Sequence, residues 1–318
     1  MRRVIFAAAA MLWAASAVAE TYPSRPIRII VPTPPGGPVD VMARLLANAL
    51  PATLGQPVFV ENRPGAGNTI GSRQAASADP DGYTLMVSAS CGLIMSPLIY
   101  KTAGYDASSF AAVALIAETP QVLVVNPQFP AKSVAELIAA AKANPGKLNY
   151  STGGAGTLPH LNAELFKTLS GANIQHVPYK GGGPSLTAVM AGEVQMTFDT
   201  VSTSLQLIRE GKVRALAIVG PKRSPELPDV PTMLEVGFPA VTSGAWTALL
   251  APRDTPPEIV AKLNAATNAA LHSEPMKGVL AKLGAEPRGG TPQQLAEHMA
   301  KETKKWAPIV AGLDLKAD

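Results

Sequence analysis

Short apolar runs alternate with amphipathic stretches along the chain. Residues 27–31, apolar except for Arg28, predict a buried first strand. Pro34-Pro35-Gly36-Gly37-Pro38 has to be loop. Residues 39–50 then predict a helix, because Val39, Met42, Leu46, Ala49 and Leu50 share one face. The rhythm continues with strands at 58–60, 84–88, 148–151, 196–198 and 215–219, and with helical segments such as 70–78 between them. Ser133-Val134-Ala135-Glu136 has the form of a capping box, and Asn144-Pro145-Gly146 stops the helix it opens. Thr255-Pro256-Pro257-Glu258 and Thr291-Pro292-Gln293-Gln294 repeat that start, with proline at the first helical position. This alternation predicts an α/β protein whose sheets are mostly parallel and flanked by helices.

Two further runs read as crossings between lobes. Residues 122–126 are extended and run into Pro127, and residues 246–251 are extended and run into Pro252. Taken as hinge strands, they divide the chain into one lobe of 20–121 plus 252–318 and a second of 127–245. A chain that leaves a lobe and returns to it suits a clamshell binder. Two ordinary core strands of one large sheet remain the alternative.

The N-terminus sets the compartment. Arg2 and Arg3 precede an apolar stretch over 4–15, and Ala17-Val18-Ala19 matches the small-x-small pattern that signal peptidase accepts. The stretch is too short to span a bilayer. Residues 1–19 therefore read as a signal peptide cleaved after Ala19, and the mature chain as periplasmic. Removing Arg2 and Arg3 turns 27 Lys+Arg against 23 Asp+Glu into 25 against 23, too even a balance for a nucleic-acid binder. Cys91 is the single cysteine, so no internal disulfide forms, and none of the four histidines stands at an HxxxH spacing. No metal and no cofactor are expected. Gly65-Ala66-Gly67 does not extend to GxGxxG, and neither a P-loop nor GxSxG occurs.

The candidate chemistry lies in three loops that join a strand to a helix: Thr33 to Asp40, Thr152 to His160, and Tyr179 to Ser185. Ligands of open parallel sheets settle beyond the carboxyl ends of strands. A helix start there offers unpaired N–H groups and a partial positive charge, and glycine lets an anion approach them. Candidate binding residues are Pro35, Gly36, Gly37 and Asp40 in the first loop. Thr152, Gly154, Ala155, Gly156, Thr157 and His160 follow in the second, and Tyr179 in the third. Asp40 either faces the ligand or satisfies its helix start. His160 reaches the ligand or braces its loop. Asp199, at the end of a predicted strand, accepts from the ligand or caps the next helix. The scattered Asp40, His160 and Asp199 offer no nucleophile–base pair, so the chain is not expected to be an enzyme.

From Tyr22 onward the chain resembles the Bug/TctC family of tripartite tricarboxylate transporter receptors. The matching motifs are Tyr22-Pro23-Ser24-Arg25-Pro26-Ile27, Pro34 to Asp40, Val60-Glu61-Asn62-Arg63-Pro64-Gly65-Ala66-Gly67 and Asp79-Pro80-Asp81-Gly82-Tyr83. Gly154 to Thr157 with His160-Leu161, His176-Val177-Pro178-Tyr179-Lys180-Gly181, and Pro228-Asp229-Val230-Pro231-Thr232 continue them. The resemblance implies a two-lobed, type II-like Venus-flytrap fold of a monomer that captures a small carboxylate for a two-subunit membrane permease. It implies that the loops at Gly36-Gly37 and Ala155-Gly156-Thr157 bridge the ligand's proximal carboxylate, often through water. Asn68, Thr69, Ser88 and Ser90 would add contacts. The apolar run Cys91-Gly92-Leu93-Ile94-Met95 beside the expected pocket favours an aromatic or otherwise apolar acid over citrate. A periplasmic sensor signalling to a membrane kinase is the alternative function.

Overall fold

A computed structural model describes residues 22–313 apart from Pro221 and Ser243, and the expected signal peptide lies outside the described residues. In chain order the first strands are β1 (Ile27–Val31), β2 (Val58–Asn62), β3 (Thr84–Ala89) and β4 (Phe110–Thr119). β5 (Gln121–Val125), β6 (Leu148–Thr152), β7 (Ile174–Pro178), β8 (Met196–Thr200) and β9 (Arg214–Val219) follow. The chain ends with β10 (Ala245–Pro252) and β11 (Glu286–Gly289). Among the described residues these strands form two sheets, of order β11-β4-β10-β3-β1-β2 and β7-β6-β8-β5-β9.

Each sheet is mixed, which corrects the expectation of mostly parallel pairing. β1, β2 and β3 are parallel neighbours, whereas β10 is antiparallel to both β3 and β4, and β11 to β4. In the second sheet β6 is parallel to β7 and β8, and β5 is antiparallel to β8 and β9. The reason lies in the crossings. β4 ends at Thr119, and after Pro120 the chain enters the second sheet with Gln121 opposite the last residues of β8 and β9, Thr200 and Val219. It returns with Ala245 opposite Thr119. A strand entered from the edge where its neighbours end must run against them. Residues 122–126 and 246–251, expected as hinges, thus belong to β5 with Asn126 and to β10. The passages between sheets are Pro120 and 220–244.

The helices longer than one turn are α1 (Pro38–Ala49), α2 (Thr69–Ala76), α3 (Val134–Ala143), α4 (Leu158–Ser170), α5 (Gly182–Ala191), α6 (Val201–Arg209), α7 (Pro257–Leu271), α8 (Glu274–Lys282) and α9 (Pro292–Gly312). α1 buries Met42 and Leu46 of the expected stripe, with Leu50 just past its end, against β1–β3; Ala43 and Ala47 are buried beside them, whereas Val39 and Ala49 stay half-buried. β5 is fully buried, in keeping with the apolar run that follows Gln121. The capping box at Thr291 forms in full, with Gln294 N–H donating to Thr291 Oγ1 (3.2 Å) and Thr291 N–H to Gln294 Oε1 (2.9 Å). Ser133 caps α3 through the Glu136 N–H (3.2 Å). Thr255 does not cap α7: its hydroxyl donates to the Pro252 carbonyl (2.8 Å), and Pro256 holds the N-cap position. One buried apolar cluster runs through both lobes, joining Leu93, Ile94 and Met95 of the first to Leu158, Leu161 and Phe198 of the second, with Trp306 of α9.

Candidate functional site

Parallel strands in register end together, so the loops that leave them share one edge. Val31 of β1 pairs with Asn62 of β2, and Thr152 of β6 pairs with Pro178 of β7. In the first lobe the loop after β1 is tied down by Asp40. This residue is buried, yet Gly36 N–H (2.9 Å) and Arg44 Nε (2.9 Å) donate to its Oδ2, and Asn62 Nδ2 (2.8 Å) donates to its Oδ1. Burial opposes the charge, but the bonds from Arg44, Gly36 and Asn62 outweigh it and hold the carboxyl below the usual carboxylate range. Asp40 therefore satisfies its own loop and helix start. Its contact also engages the Gly36 N–H that was expected to meet the ligand. Gly36 has φ +86°, which only glycine adopts without strain. Gly37, Val39 and Asp40 keep helix-start N–H groups that lack intrahelical acceptors.

The neighbouring loops close around this edge. Thr69 Oγ1 donates to Ala66 O (2.8 Å) and is buried, so it holds its turn. Ser88 Oγ bonds Ala89 O (3.2 Å). A Cβ on Gly92 would lie 2.7 Å from Ser88 Oγ and 3.2 Å from Asn68 Cβ, which places Asn68, Ser88 and Gly92 together. Among the described residues no hydrogen-bond partner reaches Ser90 Oγ, although Ser90 is only 1 % exposed. Leu93, Ile94 and Met95 are buried in the core rather than lining this edge, so their apolarity carries no preference for an aromatic acid.

The second lobe repeats the device of the first. Gly156 N–H donates to His160 Nδ1 (3.0 Å), just as Gly36 N–H reaches Asp40 four residues on. A neutral His160 that accepts at Nδ1 carries its proton on Nε2, which faces Glu164 Oε1 at 3.9 Å. Gly154 N–H bonds Thr152 Oγ1 (3.2 Å), and Thr157 Oγ1 donates to Gly154 O (2.8 Å) instead of capping α4. Beneath the loop His160 stacks on His176 (4.1 Å between centroids), and His176 stacks on Tyr150 (5.0 Å). His176 Nε2 lies 2.7 Å from Thr152 Oγ1. Burial lowers both imidazoles, and the neighbouring His160 helps to bring His176 down to about 4. The Tyr150 hydroxyl donates to Glu164, which also accepts from Lys167 Nζ (2.7 Å).

Tyr179 points its hydroxyl to Glu193 Oε2 (3.3 Å), away from the stack. Asp199 Oδ2 accepts from the side-chain hydroxyls Thr203 Oγ1 and Ser204 Oγ of α6 (both 2.6 Å), while the N-cap position of that helix falls to Thr200, without a side-chain cap bond. The two edges meet. A Cβ on Gly156 would lie 2.9 Å from Ile99 Cδ1, and the Leu158 N–H, at the start of α4, stands near enough to the Cys91 thiol to work against the upward push of its burial. Sequence reasoning did not single out His176, Ile99 or the Cys91–Leu158 contact. His176 was within reach: as the register partner of Tyr150 it had to lie beside it on one face of the sheet. Among the described residues no cluster of His, Cys, Asp and Glu could hold a metal ion, and no helix is long and apolar enough to cross a membrane.

With this geometry in view, the relatives are informative. Residues 42–315 match the model of the tripartite tricarboxylate transporter family receptor. The chain is 42% identical over 303 residues to protein BugT of Bordetella pertussis, covering 93% of this chain and 92% of that protein. MatC from Rhodopseudomonas palustris, solved with bound malate, is 36% identical with a TM-score of 0.73, over 91% of this chain and 100% of that one. A second R. palustris protein, solved with adipate, is 37% identical with a TM-score of 0.75, over 91% and 97%. Proteins of this family are periplasmic solute-binding receptors and not enzymes. Two helix-flanked sheets, the paired strand-end loops and a match across most of its length agree: this chain belongs to the tripartite tricarboxylate transporter receptor family.

Proposed function

We propose that the mature chain captures a small aliphatic dicarboxylate in the periplasm by closing its lobes, and delivers it to a tripartite tricarboxylate-type permease. The observation that carries this reading is the same helix start built twice, at α1 in one lobe and at α4 in the other. Each stands behind a loop braced from within and presents N–H groups and the positive end of a helix. Two such ends suit an acid with a carboxylate at each terminus, and the malate and adipate held by the two R. palustris relatives fit that class. The donors left for the ligand are the Gly37, Ala155 and Thr157 N–H groups, with Asn68 and Ser90 as side-chain partners. Gly36 and Gly156 act through the loops they shape, because their N–H groups serve Asp40 and His160. Cleavage after Ala19 would release the chain from the export machinery. Binding would then shift an open–closed equilibrium, and the closed form would be the one the permease reads.

Thermal unfolding of the mature protein against a panel of mono-, di- and tricarboxylates tests this. Malate, adipate or a related dicarboxylate should raise the midpoint and be recovered unchanged. A ligand at about 100 times its Kd adds about 2.7 kcal/mol of stability. No shift with any dicarboxylate, or conversion of the ligand, overturns the reading.

A further inference from the structure

The lobes also touch outside the loops after β1, β3 and β6. The chain leaves α8 of the first lobe through Gly284, at φ +59°. A Cβ on that glycine would lie 2.4 Å from Ser202 Cβ, 3.1 Å from Ser202 Cα and 3.2 Å from Ser202 N. Ser202 stands in the first turn of α6, in the second lobe. Backbone rests on backbone here, with no side chain between. We infer that Gly284 and Ser202 are positioning residues, whose contact sets how closely the two lobes approach one another at the cleft.

Neither side of the contact can yield locally. In the first lobe, Gly284 N–H donates to Ala281 O (3.0 Å) and Ala285 N–H to Leu280 O (2.8 Å). Ala285 is buried, and Glu286 pairs with Glu118 of β4. In the second lobe, Val201 is buried, and its N–H donates to the carbonyl of Pro120, the first passage between the sheets (3.0 Å). Asp199 holds the same helix start through Thr203 and Ser204. Ser202 Cβ is fixed to its backbone and cannot swing aside as the tip of a long side chain does. An atom added at Gly284 therefore pushes one lobe against the other.

Magnitudes single out this contact over its neighbour. Lys222 Nζ meets Glu286 Oε2 at 3.0 Å, but Lys222 is 59 % exposed, and an exposed ion pair contributes little. Overpacking two fixed backbones costs enough to move an open–closed ratio about tenfold. The direction follows from the cleft. Gly156 lies against Ile99 with no room for a Cβ, so the lobes cannot relieve the push by closing further. They relieve it by separating, which draws Leu158 of α4 away from the Cys91 thiol.

Gly284→Ala supplies the wedge, and Ser202→Gly removes the atom it meets. The probe is Cys91, the single cysteine, labelled by an aromatic disulfide reagent in the ligand-free mature protein. Gly284→Ala should label about tenfold faster than the wild type, and the double variant with Ser202→Gly should return to within about twofold of it. The double variant keeps the left-handed strain at residue 284 and adds a glycine to α6, so labelling through unfolding would make it the fastest of the three. Affinity for malate or adipate should fall about tenfold and recover in the same order, an arm that rests on the function proposed above. Labelling that follows this pattern while no dicarboxylate binds the wild type upholds the inference and sinks that function. A Gly284→Ala variant that labels no faster than the wild type, or a double variant that labels as fast as the single one or faster, overturns the inference.

Discussion

His160 Nδ1 accepts the Gly156 N–H at 3.0 Å, four residues back along the chain. Asp40 Oδ2 accepts the Gly36 N–H at 2.9 Å over the same span in the other lobe. Both helices carry proline in their first turn and lack a side-chain cap at the N-cap position. In place of a cap, the third helical residue turns back and fixes the loop that precedes it. Each brace depends on a titratable group in one charge state, a carboxylate in the first lobe and a neutral imidazole in the second.

Gly156 tolerates no side chain. Its φ of +74° is strained for any other residue, and a Cβ would press on Ile99 Cδ1 at 2.9 Å. Gly156→Leu is expected to weaken the cleft ligand by at least about tenfold in calorimetry while the protein remains folded by circular dichroism. Unchanged affinity would remove this loop from the site.

Asp40→Ala leaves the Gly36 N–H without its acceptor beneath a loop and reduces the Asn62 amide to its bond to the Thr33 carbonyl (3.1 Å). Arg44 is half exposed and can turn to water. The expected loss of stability is about 2 kcal/mol in urea unfolding. Asp40→Asn should recover only part of this, because it keeps one acceptor oxygen and sets its NH2 against the donor that the other oxygen held.

Acid should destabilise the protein through both braces. His160 and His176 are lowered in the folded state, the latter to about 4, so between about 6.5 and 4 the unfolded chain binds more protons. Stability is then complete above about 6.5 and falls as pH drops through that window. Asp40, also lowered, adds a loss at still lower pH. Protonated His160 would carry a proton on Nδ1 and could no longer accept from Gly156, even though Glu164 and Lys167 stand nearby with opposite effects. Thermal midpoints measured from pH 8 to 4 should decline most steeply below 6.5, and His160→Gln should flatten part of that decline. A midpoint that stays level down to pH 4 would contradict this account.

Burial pushes the Cys91 thiol up, against the smaller opposing effect of the Leu158 N–H. At neutral pH its reaction with an aromatic disulfide reagent should be much slower than that of free cysteine, and should approach the free rate in urea. Rapid labelling of the native protein would show that the contact with α4 is not kept in solution.

Strand and helix positions were largely legible in the residues. The helix expected at 39–50 spans Pro38–Ala49, and the strand expected at 84–88 spans Thr84–Ala89. The loops were legible too, since proline and glycine mark them whatever surrounds them. The roles of individual side chains were less so. Asp40, His160 and Asp199 were each readable as ligand contacts or as braces, and coordinates give all three a partner within the protein. Leu93 to Met95 read as pocket lining because they follow a strand end, yet they are core.

Hydrophobic period, capping signals and glycine placement act over a few residues, so the order of elements and the loops that carry the site were written in the chain itself. Pairing direction, the passages at Pro120 and 220–244, the Tyr150–His176–His160 stack and the contact of Gly284 with Ser202 join segments far apart in sequence. Such contacts depend on which surfaces remain to be buried once the local elements exist. No stretch of a few residues encodes that outcome, and packing of the whole chain resolves it.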